Sequence, residues 1–140
     1  MTSWGTDAFD HEAACEWVLD LEQADDLSVI EQTLERLRAA ADGADENFVS
    51  TDLIFEALAA CETLARLCGR PGEHTEFTEP VDRWIQGLDV SRVRPTPEVM
   101  TDAEATVRRL RGESGAQAVG WLDPKLWDTK LADLQRRLAA

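Results

Sequence analysis

His11-Glu12-Ala13-Ala14-Cys15 is the stretch of this sequence closest to a catalytic signature. It differs from the zincin pattern His-Glu-x-x-His in carrying Cys where the second His stands, and residues four apart on a helix lie on one face. Such a pair can ligate Zn²⁺ with Glu12 as general base. A catalytic zinc needs a third protein ligand, and His74, in the loop 71–77, is the only other histidine. A small enzyme or zinc-binding protein using His11 and Cys15, with His74 as third ligand, is therefore the alternative reading. The plainer reading leaves His11 exposed in a first helical turn and packs Cys15 inward.

Other chemistries find less support. Di-metal carboxylate sites in helical bundles need Glu three residues before each His. Here position 8 is Ala and position 71 is Pro. No Gly-x-Ser-x-Gly elbow occurs, since Gly112-Glu113-Ser114-Gly115 lacks its spacing, and neither a Walker loop nor a dinucleotide fingerprint is present. The expectation is a non-enzyme with no catalytic residue, no metal and no cofactor. Cys15, Cys61 and Cys68 are odd in number and contain no Cys-x-x-Cys pair, which argues against a disulfide framework and for a reducing compartment. All three are expected to act as small buried apolar groups, with Cys61 and Cys68, seven apart, on one helical face. Without a basic-then-apolar leader or an apolar run long enough for a membrane span, the chain reads as cytoplasmic, with no membrane partner.

Charge is the strongest feature. The 140 residues carry a formal −14, yet residues 1–60 hold 15 acidic and two basic groups, whereas residues 61–140 hold 13 and 12. Nearly all the excess is N-terminal. Nucleic acid is a poor partner, because backbone affinity comes from Lys and Arg neutralising phosphates. Glu12, Glu16 and Asp20 recur every fourth residue, as do Glu31 and Glu35, and like charges at that spacing repel. One reading is a solvated face that maintains solubility. A second brings Arg92, Arg94, Arg108, Arg109 and Arg111 beside the N-terminal helices. The sharp reading makes Glu12, Glu16, Asp20, Glu31 and Glu35 a docking face for a basic protein.

The elements that must carry these residues are helices. With 44% apolar residues the chain can bury a core despite its charge, and its length fits a single domain, 1–140. Strand alternation is absent. Three-and-four spacing predicts a first helix from a cap at Asp10 through Ala13, Ala14, Trp17, Val18 and Leu21. The pair Ser28 and Glu31 reads as a capping box for a second helix with Ile30, Leu34, Leu37 and Ala41, ending before Gly43. A third starts near 50–52 and ends at Gly69, and its broad apolar arc makes it central. Further helices are expected over 78–88, from Thr96-Pro97 to the basic run at 108–111, and from Asp123-Pro124 through Trp127, Leu131, Leu134 and Leu138. The fold expected is a compact all-α bundle of five to six helices, irregular rather than a simple up-down four-helix bundle. Trp4, Phe9 and Trp17 are assigned to its core rather than to a ligand pocket.

The opening also carries a resemblance. Trp4-Gly5, Phe9-Asp10, Ala13-Ala14, Glu16-Trp17 and Asp20-Leu21 resemble the start of the family called domain of unknown function 4259. The helix Ala57-Leu58-Ala59-Ala60-Cys61-Glu62 leading to Gly69-Arg70-Pro71, and the tail with Trp121, Trp127 and Leu134-Gln135-Arg136-Arg137-Leu138, are similar to it too. Two features depart: Glu16 stands where Asp is usual, and 115–120 is poor in helix formers. The resemblance implies a helical fold and no assigned activity. By analogy with small acidic families at bacterial toxin and immunity loci, it also suggests an immunity-type inhibitor of a basic toxin.

Overall fold

The computed structural model describes residues 12–41, 51–72, 74, 78–89, 93–111 and 124–139. They form six helices: α1 (Glu12–Glu22), α2 (Ser28–Ala41), α3 (Thr51–Leu67), α4 (Glu79–Gly87), α5 (Pro97–Leu110) and α6 (Pro124–Ala139). No strand occurs among the described residues.

The caps explain where the helices begin and end. Ahead of α2, Asp26 accepts from the Ser28 N–H at 3.0 Å, and bonds from Ser28, its hydroxyl first and its N–H second, hold the Asp26 carboxyl below its ordinary range. Leu27 is the residue whose carbonyl takes the first helical bond, from Glu31. Thr96 behaves as its type predicts: its hydroxyl accepts from the Val99 N–H at 3.1 Å, and Pro97 opens the helix. Gly69, at φ +79°, closes α3 with the paired bonds Arg70 N–H to Ala65 O and Gly69 N–H to Arg66 O, a Schellman ending. Asp10, Gly43 and Asp123 lie outside the described residues.

Helix α3 packs against all five others. From Ile54 to Arg66 nearly every side chain is buried, and the small residues Ala57, Ala59, Ala60 and Cys61 let neighbouring helices approach from several sides. The stripes read from spacing face this axis: Ala13, Ala14, Trp17, Val18 and Leu21 on α1; Ile30, Leu34 and Leu37 on α2; Val99, Ala103, Val107 and Leu110 on α5; Trp127, Leu131, Leu134 and Leu138 on α6. Helix α4 is the weakest member, burying Val81 with Trp84 and Ile85 half-covered.

The indoles join elements as well as filling space. Trp17 donates to the Thr33 hydroxyl at 2.8 Å, and that hydroxyl in turn donates to the Val29 carbonyl at 2.7 Å, tying α1 to α2. Trp127 meets Phe55 edge-on at 6.1 Å and donates to the Leu110 carbonyl at 2.8 Å, satisfying an acceptor that the end of α5 leaves open. Trp84 donates to the Ala24 carbonyl at 2.8 Å, tying α4 to the end of α1. Trp17 is thus core, as expected, whereas Trp4, Phe9 and Trp121 fall outside the described residues.

Candidate functional site

The acidic residues singled out by spacing divide between two places. Glu12, Glu16 and Asp20 stand on the exposed side of α1, opposite its buried stripe. Glu16 and Asp20 lie close enough to Glu56 of α3 to act on its carboxyl, as does Asp52 one turn before it. Partial burial is the main reason the Glu56 carboxyl titrates above its ordinary value; these three carboxylates add to the rise, and Arg36, 3.4 Å away, opposes it. Asp52 and Glu56 were not singled out by the sequence. The signal was their four-residue spacing, which continues the α1 pattern on a neighbouring helix.

Glu31 and Glu35 belong to the other place, a groove of about 290 Å³ between α2 and α5. Glu98, Asp102 and Arg109 of α5 share its walls, as does Arg38 of α2, which pairs with Glu35. The idea that the C-terminal arginines sit beside the N-terminal helices therefore holds for Arg109. It fails for Arg108 and Arg111. Arg108 pairs with Glu104 of its own helix, and Arg111 grips Asp128 of α6 with two bonds of 2.9 and 3.2 Å and reaches Gln135. Those bonds hold the Asp128 carboxyl below its usual range and raise the Arg111 guanidinium. Arg92 is outside the described residues.

A third concentration of charge lies inside the fold, and spacing alone did not reveal it. Glu62 accepts two bonds from Arg137 of α6, at 2.7 and 2.8 Å, and one from the Gly72 N–H at 3.1 Å, with the Arg66 Nε 3.3 Å away. Arg66, almost fully buried, also donates to both oxygens of Asp82 on α4, at 2.9 and 3.1 Å. Burial would pull the Arg137 guanidinium down, but bonds to Glu62 and Asp133 outweigh it and raise it. Arg70 and Arg137 exchange donors reciprocally, each reaching the other's backbone carbonyl at 3.2 Å. The visible hint was Glu62 and Arg66, four apart inside the otherwise apolar arc of α3. Arranged this way, the charges satisfy one another and join α3, α4, α6 and the turn after Gly69.

The same cluster bears on the zinc reading. His74 is exposed and spends its Nδ1 on Asp82 at 3.1 Å, with the Arg66 guanidinium 3.5 Å away, a repulsive neighbour for a metal cation. Cys15 is half-buried and His11 lies outside the described residues. Among the described residues no three His, Cys, Asp or Glu side chains gather to hold a metal ion. The cysteines are not all buried. Cys61 is, and burial pushes its thiol far above its ordinary value, whereas Cys68 is exposed because α3 ends one residue before it. Both do face α5, Cys61 toward the Ala103 carbonyl and Cys68 toward the Met100 sulfur. No helix among the described residues is long and apolar enough to cross a membrane.

These features define a compact all-α bundle with a buried ion cluster and a carboxylate-rich surface. The chain belongs to the family described as Domain of unknown function (DUF4259), whose family model matches residues 2–130. No curated protein and no solved structure matches the chain.

Proposed function

We propose that this chain is a non-catalytic acidic interaction module that binds a basic protein, in the manner of an immunity-type inhibitor. The observation that carries this reading is the exposed carboxylate face of α1, Glu12, Glu16 and Asp20, continued on α3 by exposed Asp52 and by Glu56, which has Arg36 as its counter-charge at 3.4 Å. A fold that needed carboxylates only for solubility would gain by spreading them, because like charges close together oppose folding. A cationic partner relieves that repulsion, accelerates its own encounter through the complementary field, and is selected over neutral competitors. An immunity-type inhibitor has the same requirement, since its target binds nucleic acid through basic groups.

Affinity capture on the immobilised chain, at low and high salt, tests the proposal. The expected result is a basic protein that elutes with salt, rebinds as a purified component, and is lost from a variant carrying E16K and D20K. Retention that ignores both salt and the charge reversals overturns it.

A further inference from the structure

The groove between α2 and α5 has two properties that together specify an occupant. Its floor is apolar, built from Leu34, Leu37 and Val99. Its walls carry the exposed carboxylates Glu31, Glu98 and Asp102, none of which has an ion-pair partner among the described residues, whereas Glu35 is engaged by Arg38. At about 290 Å³ it sits at the small end of ligand sites, which span ~300–1,000 Å³. That is room for one long side chain and some water, not for a helix.

Long cationic side chains lay an apolar stem on apolar surface and keep the charged head at a polar boundary. A guanidinium also binds a carboxylate with two parallel bonds, which an ammonium cannot do. We propose that this groove receives an arginine side chain of the basic partner, its stem over the Leu34 and Val99 floor and its guanidinium against the wall carboxylates. Arg38 and Arg109 in the same lining leave room for a single cation, so one arginine of the partner enters the slot while its other basic groups meet the α1–α3 face. The inference rests on the proposed function and narrows it: the anchor enters between α2 and α5, and the α1–α3 face supplies the wider field.

The test is a titration of the ¹⁵N-labelled full chain with a capped arginine-rich peptide, and with the same peptide carrying citrulline, which keeps the shape and removes the charge. The expected result is amide shifts at Glu31, Glu98 and Asp102 with the arginine peptide alone. E98Q and D102N each weaken binding about two- to fivefold, the range for one solvent-accessible charge pair. Both residues are exposed, so an unchanged unfolding midpoint confirms that the variants are folded. Shifts confined to Glu16, Asp20, Asp52 and Glu56 overturn the groove and leave the wider reading standing. Equal shifts from the citrulline peptide overturn charge recognition in the groove, and no shift anywhere with the arginine peptide overturns both readings.

Discussion

Arg137 and Glu62 stand 75 positions apart in the chain and meet through a two-pronged pair, Nη2 to Oε1 at 2.7 Å and Nη1 to Oε2 at 2.8 Å. Both side chains are largely withdrawn from water. In such a setting the desolvation of two ions offsets much of their attraction, so the pair adds little net stability while making either partner alone very unfavourable. Its effect is geometric: it fixes α6 against α3 at one register and closes the turn 69–72 over the contact.

The consequence is a strong asymmetry between single and double replacement. R137A leaves the Glu62 carboxylate buried without its main counter-charge and is expected to cost about 3–5 kcal/mol. At roughly 3–4 °C per kcal/mol for a chain of this length, the loss is plain in a thermal unfolding curve. The double variant E62L/R137M should recover most of it. A double variant as unstable as the sum of its two singles would show that the two residues act independently.

Gly69 and Gly72, three positions apart, should fail for different reasons. Gly69 sits at φ +79° with open space around it, so G69A carries only the conformational cost of a left-handed residue, about 1–2 kcal/mol, and G69N carries less. Gly72 has an ordinary backbone, but a Cβ there would come within 3.2 Å of the Arg137 Nη2 and 3.3 Å of the Glu62 Oε1. Those atoms are locked in their pair and cannot swing aside freely. G72A is therefore expected to destabilise the wild-type background and to become nearly neutral on top of R137A, while G69A adds to R137A independently. Chemical denaturation of the two double variants decides this.

Trp17 separates core from surface. At 3% exposure it is inside the fold, and W17A should cost about 3–5 kcal/mol. W17F keeps one aromatic ring but loses the second ring of the indole and the bond to Thr33, whose hydroxyl still reaches the Val29 carbonyl, so its cost should fall below that of W17A, at about 2–3 kcal/mol. Partner capture lost from W17A with an unmoved unfolding midpoint would place Trp17 on a binding surface instead.

What could be read from the sequence is what depends on neighbours three or four positions away. The stripe Val99, Ala103, Val107 and Leu110, the Thr96-Pro97 start and the Gly69 stop are each specified locally, and each is found in place. The start of α2 at Ser28 is found where spacing places it, but the capping role is displaced: Leu27 carries the first accepting carbonyl, and Asp26, as good a cap type as Ser28, accepts from the Ser28 N–H. The charge partners that lie far apart in the chain were not legible. Nothing near Glu62 in the chain announces Arg137, and the arginines of one basic run, Arg109 and Arg111, part company because a helix end turns them toward α2 and α6 respectively. The acidic candidates were correctly found exposed, but their division into an α1–α3 face and an α2–α5 groove depends on how helices pack, which spacing within one helix cannot convey.

Glu56 gives the last prediction its sign. Its folded-state value is raised above the ordinary 4.5, by burial first and by Asp52, Asp20 and Glu16 after it, against the opposing Arg36. The folded protein therefore binds this proton more tightly than the unfolded chain, and ionised Glu56 opposes folding at neutral pH. As pH falls through the folded value toward the unfolded one the penalty disappears, and below both it is gone. E56Q should accordingly raise the unfolding midpoint at pH 7 and match the wild type in acid below the ordinary carboxylate range. Arg36, whose side chain is 59% exposed, loses a pair of little worth in the process. E16Q and D20N should move the neutral midpoint the same way by less, since each removes one repulsive neighbour and leaves the burial. If E56Q instead lowers the neutral midpoint, the attraction to Arg36 outweighs the crowding, and the α1–α3 face holds no unrelieved charge for a cationic partner to neutralise.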